Sequence, residues 1–245
     1  MGKSARTSVR KGSFFEESRL SLRENLSLLM YWTQITKSSL DQIAKDTGLS
    51  KPTIVDYYNF FREVCQKWAF AHSVSRKLGG QDIIVEIDES MFWREKYHRG
   101  RRVGSPSGWV FGMIEYGTND LRLLEVADRS AQTLLSIIAD NCEPGTIVVS
   151  DDWAVYGGCS SLAQDFNHRW VNHRIQFMNP TDRRLQTQSE EAATWSDMKA
   201  EMKHLKGTSE ALFPSYLFQY MFRRFYKGKR LFEQMLIAIG SQYPV

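Results

Sequence analysis

Val85-Glu86-Ile87-Asp88-Glu89-Ser90 sets a carboxylate inside, or at the end of, an apolar strand. The run from Asp82 to Ile87 is rich in β-branched residues and is entered through Gly79-Gly80, which predicts a buried strand over Ile83–Ile87. Thr146-Ile147-Val148-Val149-Ser150-Asp151-Asp152-Trp153 repeats the arrangement, an apolar strand that runs into acid. A charge at such a place must be paired or bound to a cation, because taking it out of water costs several kcal/mol or more. Acids on two strands therefore suggest oxygen ligands converging on a hard divalent metal such as Mg²⁺.

Outward from these two segments the chain alternates strands and helices. Trp109–Glu115 and Arg122–Val126 read as strands joined by a Gly117-Thr118-Asn119-Asp120 turn. Ser130–Asn141 reads as a helix, Thr146–Ser150 as a fourth strand, and His168–Ile175 as a further extended segment. Leu185 to Leu205 is polar and then helical, and one amphipathic helix is expected from Phe213 to Ile239. Three antiparallel strands, a helix, then a parallel strand, with acids on the first and fourth, is the order of a ribonuclease-H-like fold. The expectation is an α/β domain over 79–245, a mixed sheet flanked by helices.

Ahead of it, residues 1–12 read as a disordered basic tail and 13–78 as an all-α domain. Its helices are expected over Leu20–Gln34, over Ser39–Thr47 with Gly48 as the stop, and from Ser50 to about Trp68 with Pro52 in the first turn. Leu40-x-x-Ile43-Ala44-x-x-x-Gly48-Leu49-Ser50-x-x-Thr53-Ile54 has the shape of a helix-turn-helix. Lys51 and Thr53, at the start of its second helix, would face DNA. The same trihelical pattern also serves as a plain packing module.

The composition is that of a soluble globular protein, with 42% hydrophobic and 24% charged residues. A net charge of +4 says little by itself, but the basic residues cluster. Lys96, Arg99, Arg101 and Arg102 follow the first acidic strand, and Arg223, Arg224, Lys227, Lys229 and Arg230 interleave with Phe222, Phe225 and Tyr226. Basic groups beside aromatic rings suit a phosphate backbone and unstacked bases; solvated surface is the plain alternative. Three cysteines without a CxxC pair point to reduced thiols rather than a zinc site. No signal peptide and no apolar run of membrane-spanning length is present, so an intracellular protein without a membrane role is expected, in the nucleus of a eukaryote or the cytoplasm and nucleoid of a bacterium.

Several blocks in order resemble the Merlin group of DDE transposases and their bacterial insertion-sequence relatives. They are Phe14-Phe15-Glu16-x-Ser18-Arg19-Leu20, then Val85 to Ser90 with Lys96-Tyr97-x-Arg99-Gly100-Arg101, Trp109 to Glu115, and Ser150-Asp151-x-Trp153-x-x-Tyr156. Val171-Asn172-His173, Thr187-Gln188-Ser189 and Tyr216-x-x-x-Tyr220-Met221-Phe222-x-Arg224 complete the series. The resemblance implies Asp88, Asp151 and Glu191 as catalytic residues and ligands of two Mg²⁺ (or Mn²⁺) ions. Asp151 is favoured over Asp152 because the family's Asp stands two residues before the Trp. In the implied chemistry one ion activates water or a DNA 3′-hydroxyl for in-line attack and the other stabilises the departing oxygen.

The third acid is ambiguous in the sequence. The family's Glu stands three residues before a Trp, and relative to Trp195 that place holds Ala192; anchoring on Thr187-Gln188-Ser189 selects Glu191, with Glu190 as the alternative. Asn172 and His173 form a second tier with Trp195. The implied partner is double-stranded DNA carrying terminal inverted repeats, bound by a homo-oligomer. The alternative function is an inactive or domesticated transposase-derived DNA-binding protein.

Overall fold

The structure, a computed structural model, describes residues 8, 10–34, 38–92, 108–151, 154–162, 165–171, 190–203 and 209–244, with the side chains at 154, 170, 171, 190–192, 203 and 210 set aside. The chain divides into two compact units, one formed by Met1–Phe70 with Tyr226–Val245 and the other by Ala71–Phe225.

In the first unit, α1 (Leu22–Thr33) opens on a capping box in which Ser21 and Glu24 satisfy each other's backbone N–H groups. α2 (Leu40–Thr47) is capped by Ser39 and ends at Gly48, whose φ of 72° is the left-handed conformation that favours glycine. Ser50 then accepts from the Thr53 N–H, and α3 (Lys51–Ser75) begins. Leu28, Leu29, Trp32, Ile54, Phe61, Val64 and Cys65 are buried among these helices. Each such aliphatic or aromatic side chain contributes about 1.5–3 kcal/mol on burial. α3 extends past the expected end near Trp68, because Gly79-Gly80 is the first strong helix breaker after it.

Within the stretch 1–12, expected as a disordered tail, the described residues 8 and 10–12 make local hydrogen bonds. Arg10 donates from Nη1 to the carbonyls of Ser18 (3.2 Å) and Leu20 (2.7 Å), and the Gly12 N–H donates to Glu16.

The second unit is built on a five-stranded mixed sheet. A short strand β1 (Leu78–Gly79) precedes β2 (Ile84–Met91), β3 (Trp109–Glu115) and β4 (Leu121–Val126), which form an antiparallel meander. α4 (Ala131–Asn141), capped by Ser130, leads through β5 (Cys142–Glu143), the partner of β1, to β6 (Ile147–Asp151). β6 runs parallel to β2, and β7 (Asn167–Val171) parallel to β6, giving the order β4-β3-β2-β6-β7. β2 continues four residues beyond the expected Ile87, so Asp88 lies within the strand and not at its tip.

Alternation along β2 separates two faces. Val85 and Ile87 join Phe111, Met113, Val148, Leu134, Ile138 and Tyr156 in the core under α4. Ile84 packs with Ile147 and Val149 on the other face. That face carries α5 (Glu190–Lys203) and α6 (Phe213–Phe225): Trp195 of α5 lies over Gly112, and the Tyr220 hydroxyl of α6 donates to the Thr194 carbonyl of α5.

The single helix expected from Phe213 to Ile239 is two. Tyr226–Gly228 turns, with Gly228 at φ 83°, and α7 (Leu231–Gln242) follows. The expected domain over 79–245 differs from the observed division accordingly. Met235, Ala238 and Ile239 are buried, the Tyr243 ring meets Phe14 at 5.4 Å, and Gln242 Nε2 donates to the Val64 carbonyl, so this segment completes the helical unit. An amphipathic stripe records that a helix is covered, not what covers it. No helix among the described residues is long and apolar enough to cross a membrane.

Candidate functional site

Parallel pairing matches Ile84 with Ile147, Val85 with Val148 and Glu86 with Val149. The same offset carried two residues further sets Asp88 level with Asp151, on the same face and on adjacent strands, whose backbones run about 4.8 Å apart. The two acids thus lie on adjacent strands just beyond the last paired residues, and the Glu89 carboxyl feels the charges of both. That donor set, hard oxygen ligands in register, fits a divalent cation such as Mg²⁺.

Asp88 is held at both oxygens. Its Oδ1 accepts the Glu89 N–H at 2.8 Å and its Oδ2 accepts the Trp195 indole N–H at 3.0 Å. The indole reaches it because Asp88 pairs with Gly112 on β3. A Cβ at Gly112 would fall 2.6 Å from Trp195 Cζ2, so only glycine leaves room for the ring. Phe92 meets the same indole edge-on at 6.1 Å.

Glu89 points to the opposite face. Its side chain is 2% exposed and accepts from Arg129 Nη2 at 3.1 Å, while the Arg129 guanidinium stacks 4.0 Å over the Trp109 ring. Burial pushes the Glu89 carboxyl up to about 7; Arg129 opposes the shift, and the charges of Asp88 and Asp151 add to it. Glu89, Arg129 and Gly112 carry no expectation from sequence. A Gly inside an apolar strand, and an Asp-Glu pair whose members must face opposite ways by the two-residue period, are the signals that mark them.

Glu191 falls in the first turn of α5, and the Glu190 and Glu191 side chains are outside the described residues. Among the described residues no three His, Cys, Asp or Glu side chains group to hold a metal. Asn172 and His173 are also outside, immediately after Val171, which pairs with Asp151 across β6 and β7. His168 on β7 bonds Ser150 Oγ at 3.0 Å through Nε2, and burial pushes its imidazole below the usual value.

Of the residues expected at DNA, Lys51 is exposed and ion-paired to Asp41, and Thr53 Oγ1 bonds Ser50 Oγ at 2.8 Å in the cap of α3. Lys96, Arg99, Arg101 and Arg102 lie outside the described residues.

No curated protein matches the sequence. Among solved structures, the chain aligns with a pre-cleavage Mos1 transpososome (8% identity, TM-score 0.24, covering 100% of this chain and 82% of that one). It aligns similarly with the Mos1 strand transfer complex (8% identity, TM-score 0.26, 99% and 81%). Overlays this loose place no residue. Residues 77–224 match the ISXO2-like transposase domain, a span that nearly coincides with the sheet-bearing unit Ala71–Phe225. That match takes in more than half of the sequence, and the chain belongs to the ISXO2-like transposases, a family of the DDE type.

Proposed function

We propose that this chain is a DNA transposase that cuts DNA at element ends and joins the freed ends to new sites, with a ribonuclease-H-like catalytic unit and a DNA-seating helical unit. The observation that carries the reading is the parallel register of β2 and β6, whose offset also relates Asp88 to Asp151. Asp88, Asp151 and Glu191 would hold two Mg²⁺ or Mn²⁺ ions. Bound there, the cations would activate an attacking water or DNA 3′-hydroxyl and stabilise the leaving oxygen.

Helical geometry supports Glu191 over Glu190 as the third acid. Trp195 faces Asp88, and a residue four positions earlier lies about 40° from it around the helix, whereas one five positions earlier lies about 140° away. A third acid at 191 would therefore share the Trp195 side of α5, one turn before it.

Around this centre the chain's own groups position and exclude. Trp195 and the Glu89 N–H hold the Asp88 carboxylate, and the Phe92 ring covers the indole. Lys96, Arg99, Arg101 and Arg102 follow β2 closely in sequence and would bind backbone phosphates, and Asn172 and His173, which follow Val171 in sequence, would assist at the site. Lys51 and Thr53, after the Gly48 turn, would meet duplex DNA at the terminal inverted repeats. Paired ends call for a homo-oligomer.

The test is Mg²⁺- or Mn²⁺-dependent cleavage of DNA bearing the flanking inverted repeats, with Asp88→Asn as control. Cleavage by the wild type and none by the variant supports the reading. DNA binding without cleavage by either protein would sink it in favour of a domesticated DNA-binding protein.

A further inference from the structure

We infer that Trp195 is a positioning residue, whose indole orients the Asp88 carboxylate and whose seat on Gly112 sets the depth at which α5 lies on the sheet. The inference rests on the reading of Asp88 as a cation ligand and assigns a role to a residue outside the acid triad.

Four observations converge on it. The indole N–H donates to Asp88 Oδ2 while the Glu89 N–H donates to Oδ1, so two donors on different elements define the plane of one carboxylate. Rotation about the Asp88 Cβ–Cγ bond would break both. Gly112 stands directly across from Asp88, and any side chain there would displace the ring, with contacts of 2.6 and 2.8 Å to Cζ2 and Cη2 from a Cβ alone. Thr194, Trp195 and Met198 are buried at the α5–sheet boundary, with Trp195 only 7% exposed. Finally, the Tyr220 hydroxyl on the Thr194 carbonyl ties α5 to α6 beside the indole.

A tryptophan buried for packing alone needs some partner for its N–H. Here the partner is the carboxylate of the site, and the glycine that admits the ring is that carboxylate's cross-strand neighbour. Groups that orient a ligand by hydrogen bonding set its affinity for the metal. Because position 191 precedes Trp195 by one helical turn, the same seat also fixes how close that position comes to Asp88.

The experiment titrates Mn²⁺ into the full chain by calorimetry, with the melting temperature measured in the absence of metal. Trp195→Phe keeps a ring over Gly112 and removes the donor; Gly112→Ala keeps the donor and displaces the ring. Trp195→Phe should bind Mn²⁺ about 10–100-fold more weakly while melting near the wild type, and Gly112→Ala should shift affinity the same way. Mn²⁺ affinity unchanged in Trp195→Phe, with binding lost in Asp88→Asn, overturns the role of Trp195 and leaves the carboxylate site standing. Unchanged affinity in Asp88→Asn as well, or no uptake by the wild type, overturns the site itself and the inference with it.

Discussion

Ile84 of β2 and Ile147 of β6 are parallel partners, and their offset of 63 positions is also the offset between Asp88 and Asp151, two residues beyond the last pair of the ladder. The path from β2 through β3, β4, α4 and β5 delivers β6 alongside β2 in parallel. Side chains on strands are held more closely than those on loops, which would suit the proposed placement of a phosphodiester for in-line attack.

Asp88→Asn and Asp151→Asn should each abolish cation-dependent DNA cleavage while leaving DNA affinity within several-fold of wild type, because the carboxylates serve chemistry more than docking. A gel assay of cleavage beside an equilibrium binding measurement checks both halves. Retained cleavage in either variant would remove that residue from the site.

Lys51→Ala and Thr53→Ala should weaken DNA binding. Loss of a phosphate contact at Lys51 should also flatten the dependence of log affinity on log salt by about 0.9. Lys51 is exposed beside Asp41, so releasing it from that pair costs little. Binding measured across a salt series decides the matter, and an unaltered affinity and slope would reduce α2 and α3 to packing elements.

A buried ionic group holds the end of α3 to the β3–β4 hairpin within the sheet-bearing unit. Asp120, 3% exposed, accepts from His72 Nε2 at 3.0 Å and Arg122 Nη1 at 2.5 Å and also from Arg76, which reaches Glu115 at 2.6 Å. Burial alone would raise the Asp120 carboxyl, but the His72 hydrogen bond and the nearby positive charges outweigh it and hold it below the ordinary value of 3.8. The folded state therefore binds this proton more weakly than the unfolded chain, so the contribution is complete above pH 3.8 and is lost as pH falls through the folded value. Asp120→Asn should destabilise by about 3 kcal/mol at neutral pH, since it leaves Arg122 buried without its counter-charge. Denaturant unfolding at several pH values should find the gap to wild type narrowing below pH 3.8.

Gly48→Ala tests the turn between α2 and α3. No atom lies within 4 Å of the position a Cβ would take, so the cost is that of the left-handed backbone alone, about 1–2 kcal/mol. Thermal unfolding measures it. A neutral effect would mean that the turn relaxes to another conformation.

Gly112, Trp195 and Glu89 mark where reading the sequence alone stops. A two-residue period shows that Asp88 and Glu89 face opposite ways, but not that one meets an indole and the other an arginine stacked on Trp109. The Phe213–Ile239 stretch looks like one amphipathic helix because Gly228 alone is a weak breaker, and only packing against Phe14, Lys67 and Val64 shows its second half completing the helical unit.

The sequence by itself determined the local elements. β-branched runs made strands, Ser39, Ser50 and Ser130 capped helices, Gly48 ended one, and acids within apolar runs pointed to a metal-dependent centre. Those signals are short-range, because capping, periodicity and turn chemistry act within a few residues. Tertiary structure decided what depends on distant segments meeting: that β2 and β6 pair at the offset that also relates Asp88 to Asp151, that Gly112 opens the space Trp195 fills, and that residues 226–245 join the first helices. Pairing offset and side-chain fit are properties of two surfaces together, and neither surface carries them alone.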